Sequence, residues 1–488
     1  FFDPVQNAFR VAPMTIGQIV KSAGKRQGEL ESQAVSLQSH WLNHHLISLV
    51  GLRRDSDTNY TAADPVVLPD GNIDAATLVL PTTPSSTNVA NSPSFSVVAV
   101  LPDKVRSLLP FDSTLRAYWN TSKNFTPSGQ RRNAFNEEIG TPAGETTERG
   151  IMLTTFRGKL DLRLNWFKTS AQNASDSAVA AASAINSTYT IVDYMLLADA
   201  NRLQTRDWGY SSFATFTDVA LAHFNALPKR LRIGDAYNFN PRLVRGANGT
   251  YTLEREPITN VASTTDYVAK GLELEAALNV TSRWRIAFNA AKTETVKSNV
   301  GTDLRAYVDE YRSNLQQINP QLLSGARQPG QQAGAWGEVF NGSVIVPLQI
   351  AERTAGSPSP ELVKWRWSLV NRYDFAARPL KGLYVGGAVR WQQRAVIGYP
   401  YITDSTGVQA ADLTNPYFGQ ADFRGDAFIG YRRDNLFGRK LRWSLQLNAR
   451  NIVGDDDLIV VTANYDGTPG ALRIPPEKVW FLTSTFQF

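Results

Sequence analysis

The segment "KLDLRLNWF", residues 159–167, alternates strictly between apolar and polar side chains. Its apolar members are Leu160, Leu162, Leu164 and Trp166, and its polar members are Asp161, Arg163 and Asn165. Successive side chains of a β-strand point to opposite faces, whereas those of a helix repeat every 3.6 residues. The period of two therefore predicts a strand with one apolar and one polar face.

The same alternation recurs along the chain, for example in "RWRIAFNA" (283–290) and "LRWSLQLNA" (441–449). It predicts an all-β protein with thirteen strands: 32–42, 47–56, 93–101, 113–123, 144–155, 159–169, 266–278, 284–297, 361–376, 381–395, 418–431, 441–453 and 479–488. Strands of soluble proteins average about 5–6 residues, whereas a tilted membrane-spanning strand needs about 9–11. The strand lengths therefore favour a transmembrane antiparallel β-barrel.

The connections between these strands alternate between short and long without exception. The short ones are 43–46, 102–112, 156–158, 279–283, 377–380 and 432–440, and the long ones are 57–92, 124–143, 170–265, 298–360, 396–417 and 454–478. Outer-membrane barrels have short periplasmic turns and long extracellular loops. The alternation predicts that arrangement here, with a periplasmic C-terminus.

The composition excludes several classes of protein. The 488 residues include no cysteine, which suits an oxidising export route, and the net charge of +6 has no Lys/Arg block of the kind that binds nucleic acid. No run approaches the 18 apolar residues of a spanning helix. The first ten residues, "FFDPVQNAFR", contain neither an initiator Met nor a signal peptide, so we expect a processed or truncated chain.

Several hairpins resemble those of TonB-dependent outer-membrane receptors. They are "ETTERGIMLTTFRGKLDLRLNWFKT" (145–169), "YVAKGLELEAALNVTSRWRIAFNAAKTE" (267–294), "GLYVGGAVRWQ" (382–392), "LNARNIVGDDD" (447–457) and the terminal "WFLTSTFQF" (480–488). The resemblance implies a barrel of about 22 strands, of which about 13 are present, preceded by a plug. Residues 1–31 would be a loop before the first assigned strand, and residues 32–488 the C-terminal part of the barrel. Neither a plug motif nor a TonB-binding box occurs in the sequence.

The resemblance also implies a function and a set of partners. The function is active import of a scarce extracellular solute across the outer membrane of a Gram-negative-type bacterium, with no catalysis and no cofactor. The partners are outer-membrane lipid and lipopolysaccharide, the plug and N-terminal strands of the same receptor, TonB–ExbB–ExbD and the outer-membrane assembly machinery. That machinery would read the C-terminal signal Trp480, Leu482, Phe486 and Phe488. A passive porin and a barrel-anchored adhesin or lectin remain alternatives, and the solute stays open.

The long loops contain the candidate binding residues. Aromatic side chains that could stack on a solute, or could equally pack the folded loops, are Tyr307, Tyr311, Trp336, Tyr399 and Tyr401. Tyr307, Tyr311 and Trp336 lie in the loop 298–360. This loop contains a predicted helix with Asp303 as its N-cap, and one apolar stripe of that helix consists of Leu304, Tyr307, Val308, Tyr311 and Leu315. The Ala/Ser-rich stretch 170–187 is either a second helix or a linker.

Two polar clusters invite a metal hypothesis, and neither has the pattern of a metal site. His44 and His45 lie in a predicted four-residue turn with no carboxylate or cysteine beside them in sequence, which favours a solvated turn. Asp455–Asp457 offer hard oxygen ligands but lack the alternation of a calcium loop. Polar residues on the alternating strands are expected to form the wall of the lumen: Asp161, Arg163, Asn165, Arg442, Gln446 and Asn448.

Overall fold

The computed structural model confirms the thirteen predicted strands. It describes residues 2–3, 8–9, 20, 22–68, 72–176, 181–201, 210, 212–232, 242–247, 249–254, 260–324, 336–353, 355–356, 362–403, 409–434 and 441–487. The strands are β1 Arg26–Trp41, β2 Leu46–Thr61, β3 Ser86–Val100, β4 Thr114–Phe125, β5 Ala143–Thr155, β6 Leu160–Ser175, β7 Thr264–Thr281, β8 Trp284–Ser298, β9 Trp365–Asp374, β10 Leu383–Gln392, β11 Asp422–Arg433, β12 Arg442–Val453 and β13 Val479–Gln487.

All thirteen strands belong to one sheet, in which each strand neighbours the strands before and after it in the chain. From β3 to β13, each strand pairs with the next in an antiparallel register. The connections alternate as predicted, so every long loop leaves the sheet at one end, called here the long-loop end, and every short turn at the opposite short-turn end.

The first strand begins at Arg26, within the segment that the sequence analysis assigned to a loop. The missed residues "RQGELE" show no alternating apolar face, because Leu30 is their one large apolar side chain. The pairing there is carried by the backbone, and the Ala62 N–H donates to the Lys25 carbonyl at 3.0 Å. Periodicity of side chains cannot detect a strand of this kind.

Eight helices occur in the described part of the chain, and the two longest have 20 and 17 residues. They are α1 Asp103–Arg106, α2 Ala181–Ala200, α3 Phe216–Ala226, α4 Lys229–Arg232, α5 Thr302–Ile318, α6 Gln321–Ser324, α7 Trp336–Phe340 and α8 Val346–Arg353. The stretch 170–187 divides between the end of β6 and the beginning of α2, with residues 177–180 outside the described residues. No helix among the described residues is both long and apolar enough to cross a membrane.

Short elements complete the loops. Two-stranded ribbons pair Phe2–Asp3 with Ala8–Phe9, Val66–Val67 with Ile73–Asp74, Arg131–Arg132 with Glu138–Ile139, Arg242–Arg245 with Tyr251–Glu254, Val396–Gly398 with Tyr417–Phe418, Tyr401–Thr403 with Gln409–Ala411, and Ile459–Ala463 with Pro469–Arg473. Single 3-10 turns lie at Ala75–Thr77 and Pro110–Asp112, and a π-helical turn, Asn341–Ile345, joins α7 to α8.

The chain forms two compact units. The first comprises Phe1–Ala34 and Arg53–Asn91, and the side chain of Asp55 is buried within it, accepting from Ser32 Oγ at 2.5 Å and Arg53 Nε at 2.7 Å. The second comprises Val35–Leu52 and Ser92–Phe488, and it contains most of the sheet and all eight helices.

Candidate functional site

One face of the sheet is a continuous polar surface. Tyr118 on β4 donates to Asn165 on β6 at 2.8 Å, and Asn165 donates to Glu273 on β7 at 3.1 Å. Arg163 lies beside them, with its Nε 3.1 Å from the Tyr118 hydroxyl and its guanidinium 3.7 Å from Glu275. The strand registers place these side chains on one face, since Asn165 opposes Glu273 and Arg163 opposes Glu275. The predicted wall residues Arg163 and Asn165 are therefore members of one hydrogen-bonded row.

A second polar cluster lies on the same face toward the C-terminal strands. Arg390 on β10 donates to Asp426 on β11 at 2.6 Å and also to Asn451. The Asn451 N–H donates to Asp426 at 2.7 Å, at the register shift between β11 and β12. Arg424 is buried and its Nε donates to Asp422 at 2.8 Å. The cluster contains two arginines and two aspartates, so neither charge is in excess.

Aromatic rings on the polar face lie across glycines of the neighbouring strands. The four pairs are Tyr118 with Gly150, Phe167 with Gly271, Phe428 with Gly386 and Tyr384 with Gly430. In each pair the two residues oppose each other in the register. A Cβ added to any of the four glycines would approach the ring within 2.7 Å, so the missing side chain is what admits the ring. Each contact joins residues of two different strands, so the alternation within a single strand does not reveal it.

The opposite face is apolar and has aromatic residues toward both ends. Near the long loops these include Trp367, Trp391, Phe423 and Trp480, and near the short turns they include Trp284, Tyr373, Tyr431, Trp443 and Phe486. Trp119 and Trp166 lie on the same face in the middle of β4 and β6. Trp367 and Tyr373 are six positions apart on β9, which corresponds to about 20 Å along a strand. Leu447 of β12 and Leu482 of β13, which oppose each other, lie between the two rows.

Among the described residues, the buried hydrophobic side chains cluster in the long loops rather than on the sheet. The cluster joins residues of the connections 126–142, 176–263 and 299–364, including Phe135, Ile185, Phe216, Leu304 and Trp336. We call this cluster, with α2, α3, α5, α7 and α8, the helical loop body. It is attached to the sheet by backbone bonds from Gly301 to the Thr264 carbonyl (2.9 Å) and from Gly356 to the Lys297 carbonyl (2.8 Å).

The predicted helical stripe is confirmed in α5. Its buried residues are Leu304, Tyr307, Val308, Tyr311 and Leu315, the same five that the periodicity selects. The predicted N-cap is wrong, because the capping position is Gly301 in the left-handed conformation at φ 58°, with no side-chain capping bond. Asp303 instead lies in the first turn and accepts from Asn133 Nδ2 at 3.3 Å. Glycine adopts that backbone conformation without a steric penalty.

Three of the candidate solute-binding aromatics lie inside the helical loop body. Tyr307, Tyr311 and Trp336 are at most 1% exposed, and Trp336 stacks on Phe340 with ring centroids 5.0 Å apart. Burial in an apolar environment raises the pKa of both Tyr307 and Tyr311. In this conformation the three rings pack the folded loops, which is the second of the two roles that the sequence allowed.

His223 on α3 is a member of this core that sequence reasoning missed. Its Nδ1 lies 2.8 Å from the Tyr311 hydroxyl, and its ring meets Trp336 edge-on at a centroid distance of 4.8 Å. No described residue forms a hydrogen bond with Nε2, which is buried. Complete burial lowers the pKa of His223 from 6.5 to about 3, because the protonated ring would lose its hydration. A lone histidine in a long loop gives no sequence signal for this role.

We expect the helical loop body to lose stability as the pH falls below about 6.5. The unfolded segment binds a proton that the folded His223 excludes, so each pH unit between about 6.5 and 3 removes about 1.4 kcal/mol, or about 2 kcal/mol at pH 5. Burial holds the pKa of the contacting Tyr311 hydroxyl well above its ordinary value, so Tyr311 stays neutral throughout this range. Hydrogen exchange of residues 216–226 and 302–318 measures the effect.

Two variants distinguish the effect of His223 from a general sensitivity of the protein to acid. His223→Phe should abolish the dependence between pH 7 and 5, whereas His45→Gln should leave it unchanged. An identical acid response in His223→Phe and the unmodified chain would refute the assignment.

The other two candidate aromatics lie on the loops of the C-terminal strands. Tyr401 is 48% exposed and stacks on Tyr465, which is 65% exposed, with ring centroids 5.7 Å apart and planes at 19°. The Tyr417 hydroxyl donates to the main-chain carbonyl of Tyr465 at 3.1 Å, which helps to hold the backbone of Tyr465 in position. Tyr399 is half-buried, and its pKa is raised by that burial. Sequence reasoning missed Tyr465, since only the fold brings its loop beside that of Tyr401.

The two clusters considered as metal sites, His44–His45 and Asp455–Asp457, and the terminal strand lie in their predicted elements. The described turn between β1 and β2 contains His44 and His45, and Asp456 in the last long loop pairs with Lys478 at 2.5 Å. Among the described residues, no three His, Cys, Asp or Glu side chains lie close enough to hold a metal ion. Trp480, Leu482 and Phe486 share the apolar face of β13, and Phe488 lies outside the described residues.

Comparisons with known proteins return structural likenesses only. No family model matches the chain, and no curated protein matches it. Among solved structures, it is similar to the ferric-catecholate import receptor Fiu of Escherichia coli K12 (12% identity, TM-score 0.43, 94% of this chain and 45% of that chain). It is also similar to the ferric yersiniabactin uptake receptor FyuA of Yersinia pestis (11%, 0.48, 95% and 46%). A third likeness is the siderophore receptor PiuA of Acinetobacter baumannii (13%, 0.43, 95% and 44%). The chain thus spans less than half the length of these receptors.

Proposed function

We propose that this chain is the C-terminal part of the barrel of a TonB-dependent outer-membrane receptor. The observation that carries the proposal is the antiparallel sheet of thirteen strands whose connections are long at one end and short at the other. An outer-membrane barrel has this asymmetry because its turns face the periplasm and its loops face the medium. On this proposal the short-turn end and the C-terminus are periplasmic.

The two faces of the sheet support a position in the membrane. The apolar face would contact lipid, and its aromatic residues would lie at the two interfaces, as in other membrane barrels. Lipid cannot satisfy exposed backbone groups, so a spanning sheet must close on itself. We therefore propose that the strands β1 and β13, which end the strand order, pair in the intact receptor with N-terminal strands of the same protein.

The polar face and the long loops suit active import through a lumen that is filled by a plug. A row such as Tyr118–Asn165–Glu273 offers hydrogen bonds to a plug that fills the lumen. The loops would capture a scarce solute, and TonB–ExbB–ExbD would use the proton-motive force to displace the plug. No covalent bond is made or broken in this cycle. The outer-membrane assembly machinery would recognise the C-terminal signal, which comprises Trp480, Leu482 and Phe486 of β13 together with Phe488.

The test combines topology with transport. Since the chain has no cysteine, single cysteines at Tyr465 and at Asn43 give clean labels. A membrane-impermeant maleimide should label position 465 in intact cells and position 43 only after the outer membrane is permeabilised. Uptake of radiolabelled ferric chelates, cobalamin and oligosaccharides is then compared with and without a protonophore. Reversed labelling would contradict the orientation, and protonophore-resistant uptake would indicate the porin alternative.

We also propose that Tyr401, with its stacked partner Tyr465, contacts the solute, and that Tyr399 lies at the margin of that contact. Tyr401→Ala should weaken binding of the solute identified by uptake about two- to twelvefold, because one aromatic stack contributes about 0.5–1.5 kcal/mol. The measurement is a binding isotherm on whole cells. Phe418→Ala is the matched control, since this exposed ring of the same loop is covered by the Arg394 guanidinium at 4.5 Å. Equal losses in both variants would contradict a specific role for Tyr401.

A further inference from the structure

The turn between β1 and β2 brings two exposed histidines together. Leu42, Asn43 and His44 all have left-handed φ angles, between 52° and 68°, so the chain reverses within four residues. His44 Nδ1 thereby lies 3.0 Å from Nδ1 of His40, and both rings are exposed. The sequence points to His44 and His45 as neighbours, whereas the fold pairs His44 with His40.

We infer that His40 and His44 form a binding site for a divalent transition metal, with Cu²⁺ as the preferred ion. Metal–imidazole bonds of about 2.0–2.1 Å place two coordinating nitrogens about 2.9 Å apart at a right angle and about 3.3 Å apart at the tetrahedral angle. The observed separation of 3.0 Å between the two Nδ1 atoms is close to the distance expected at the right angle of tetragonal Cu²⁺ or Ni²⁺ sites. Cu²⁺ also forms the most stable complexes of the divalent first-row ions with nitrogen ligands.

The hydrogen bonds around His40 and His44 are compatible with metal binding. In the neutral pair one Nδ1 carries the hydrogen that the other accepts. Cu²⁺ takes the place of that hydrogen, which moves to the second nitrogen of the same ring, so no net proton is released. Each exposed ring turns so that its Nδ1 lone pair faces the metal, and water occupies the remaining coordination positions.

Gln38 supplies the outer contact that such a site needs. Its Nε2 lies 2.8 Å from His40 Nε2, on the side of the ring away from His44. A half-turn of the amide places Oε1 there, where it accepts the Nε2–H that His40 has when Nδ1 binds metal. A ligating histidine commonly donates its second N–H to a carbonyl or carboxylate, which fixes the ring. His40 and His44 therefore act as the ligands, and Gln38 holds the His40 ring by accepting its second N–H.

The test is a titration of the intact receptor, purified in detergent, with CuCl₂, followed by calorimetry and electron paramagnetic resonance. We expect one site with two nitrogen ligands, and an affinity for Zn²⁺ at least tenfold lower. His40→Gln and His44→Gln should each weaken Cu²⁺ binding at least tenfold and remove the two-nitrogen signature. Gln38→Ala should weaken it less, while His45→Gln should change it by less than twofold. Copper held elsewhere on the chain is common to all variants and cancels.

Two results would overturn the site. One is unchanged copper binding in both His40→Gln and His44→Gln. The other is a loss in His45→Gln as large as that in His44→Gln, which would place the ligands elsewhere in the turn. Because both ligand side chains are exposed, the variants should retain the fold, and the heat-dependent mobility of the folded chain on gels checks this.

Discussion

Leu482→Arg should destabilise the membrane-inserted protein by about 2–4 kcal/mol. Leu482 lies on the apolar face of β13, opposite Leu447 and between the two aromatic rows, and 65% of it is exposed. If this face contacts lipid, the substitution places a charge within the hydrocarbon layer, where an arginine costs that amount near the midplane. Urea unfolding from phospholipid vesicles, together with the folded fraction in the outer membrane, measures the loss.

Thr483→Arg is the matched control, because it introduces the same side chain one residue later on the opposite, polar face. There the guanidinium remains among polar groups, beside Gln446 in the register, and we expect a change of less than about 1 kcal/mol. The comparison removes effects of strand propensity, since both positions are in the middle of β13. Equal destabilisation by the two variants would contradict lipid contact on the Leu482 face. A water-soluble, folded Leu482→Arg protein would contradict it as well.

The strands were predictable because each one carries its own two-residue pattern. Residues 159–167 already show both faces, and the register places Arg163 and Asn165 in the polar row and Trp166 on the apolar face. The helix α5 was predictable for the same reason, since its apolar stripe has the helical period. Local periodicity reports which side of an element is apolar, and both predictions need nothing more.

The candidate site was less predictable, because its contacts join residues far apart in sequence. The stripe of α5 does not show whether Tyr311 faces a solute or a protein core, and the answer depends on His223 and Trp336, which come from other segments. The pairing of Tyr401 with Tyr465 and of His40 with His44 likewise depends on the fold. Side-chain identity alone therefore named plausible residues and left their partners open.

Gly271→Val should prevent correct assembly of the sheet or destabilise it by about 3 kcal/mol. A Cβ at Gly271 would lie 2.2 Å from the Lys292 carbonyl oxygen on β8 and 2.6 Å from the Phe167 ring on β6. The ring could turn away, but the carbonyl belongs to the backbone of a paired strand, so the sheet must distort. Overpacking of this kind typically costs about 1–3 kcal/mol, and valine adds two further methyl groups to the clash.

Gly129→Val provides the comparison, since a Cβ at Gly129 has nothing within 4 Å and its loop position needs no special backbone conformation. Phe167→Ala with Gly271→Val removes the ring but leaves the carbonyl contact. If the carbonyl dominates, the double variant remains as unstable as Gly271→Val, whereas recovery would assign the effect to the ring. Folded yields and unfolding midpoints for the three proteins distinguish these cases. A Gly271→Val protein as stable as Gly129→Val would show that the β6–β7–β8 strands do not pack as closely as the register requires.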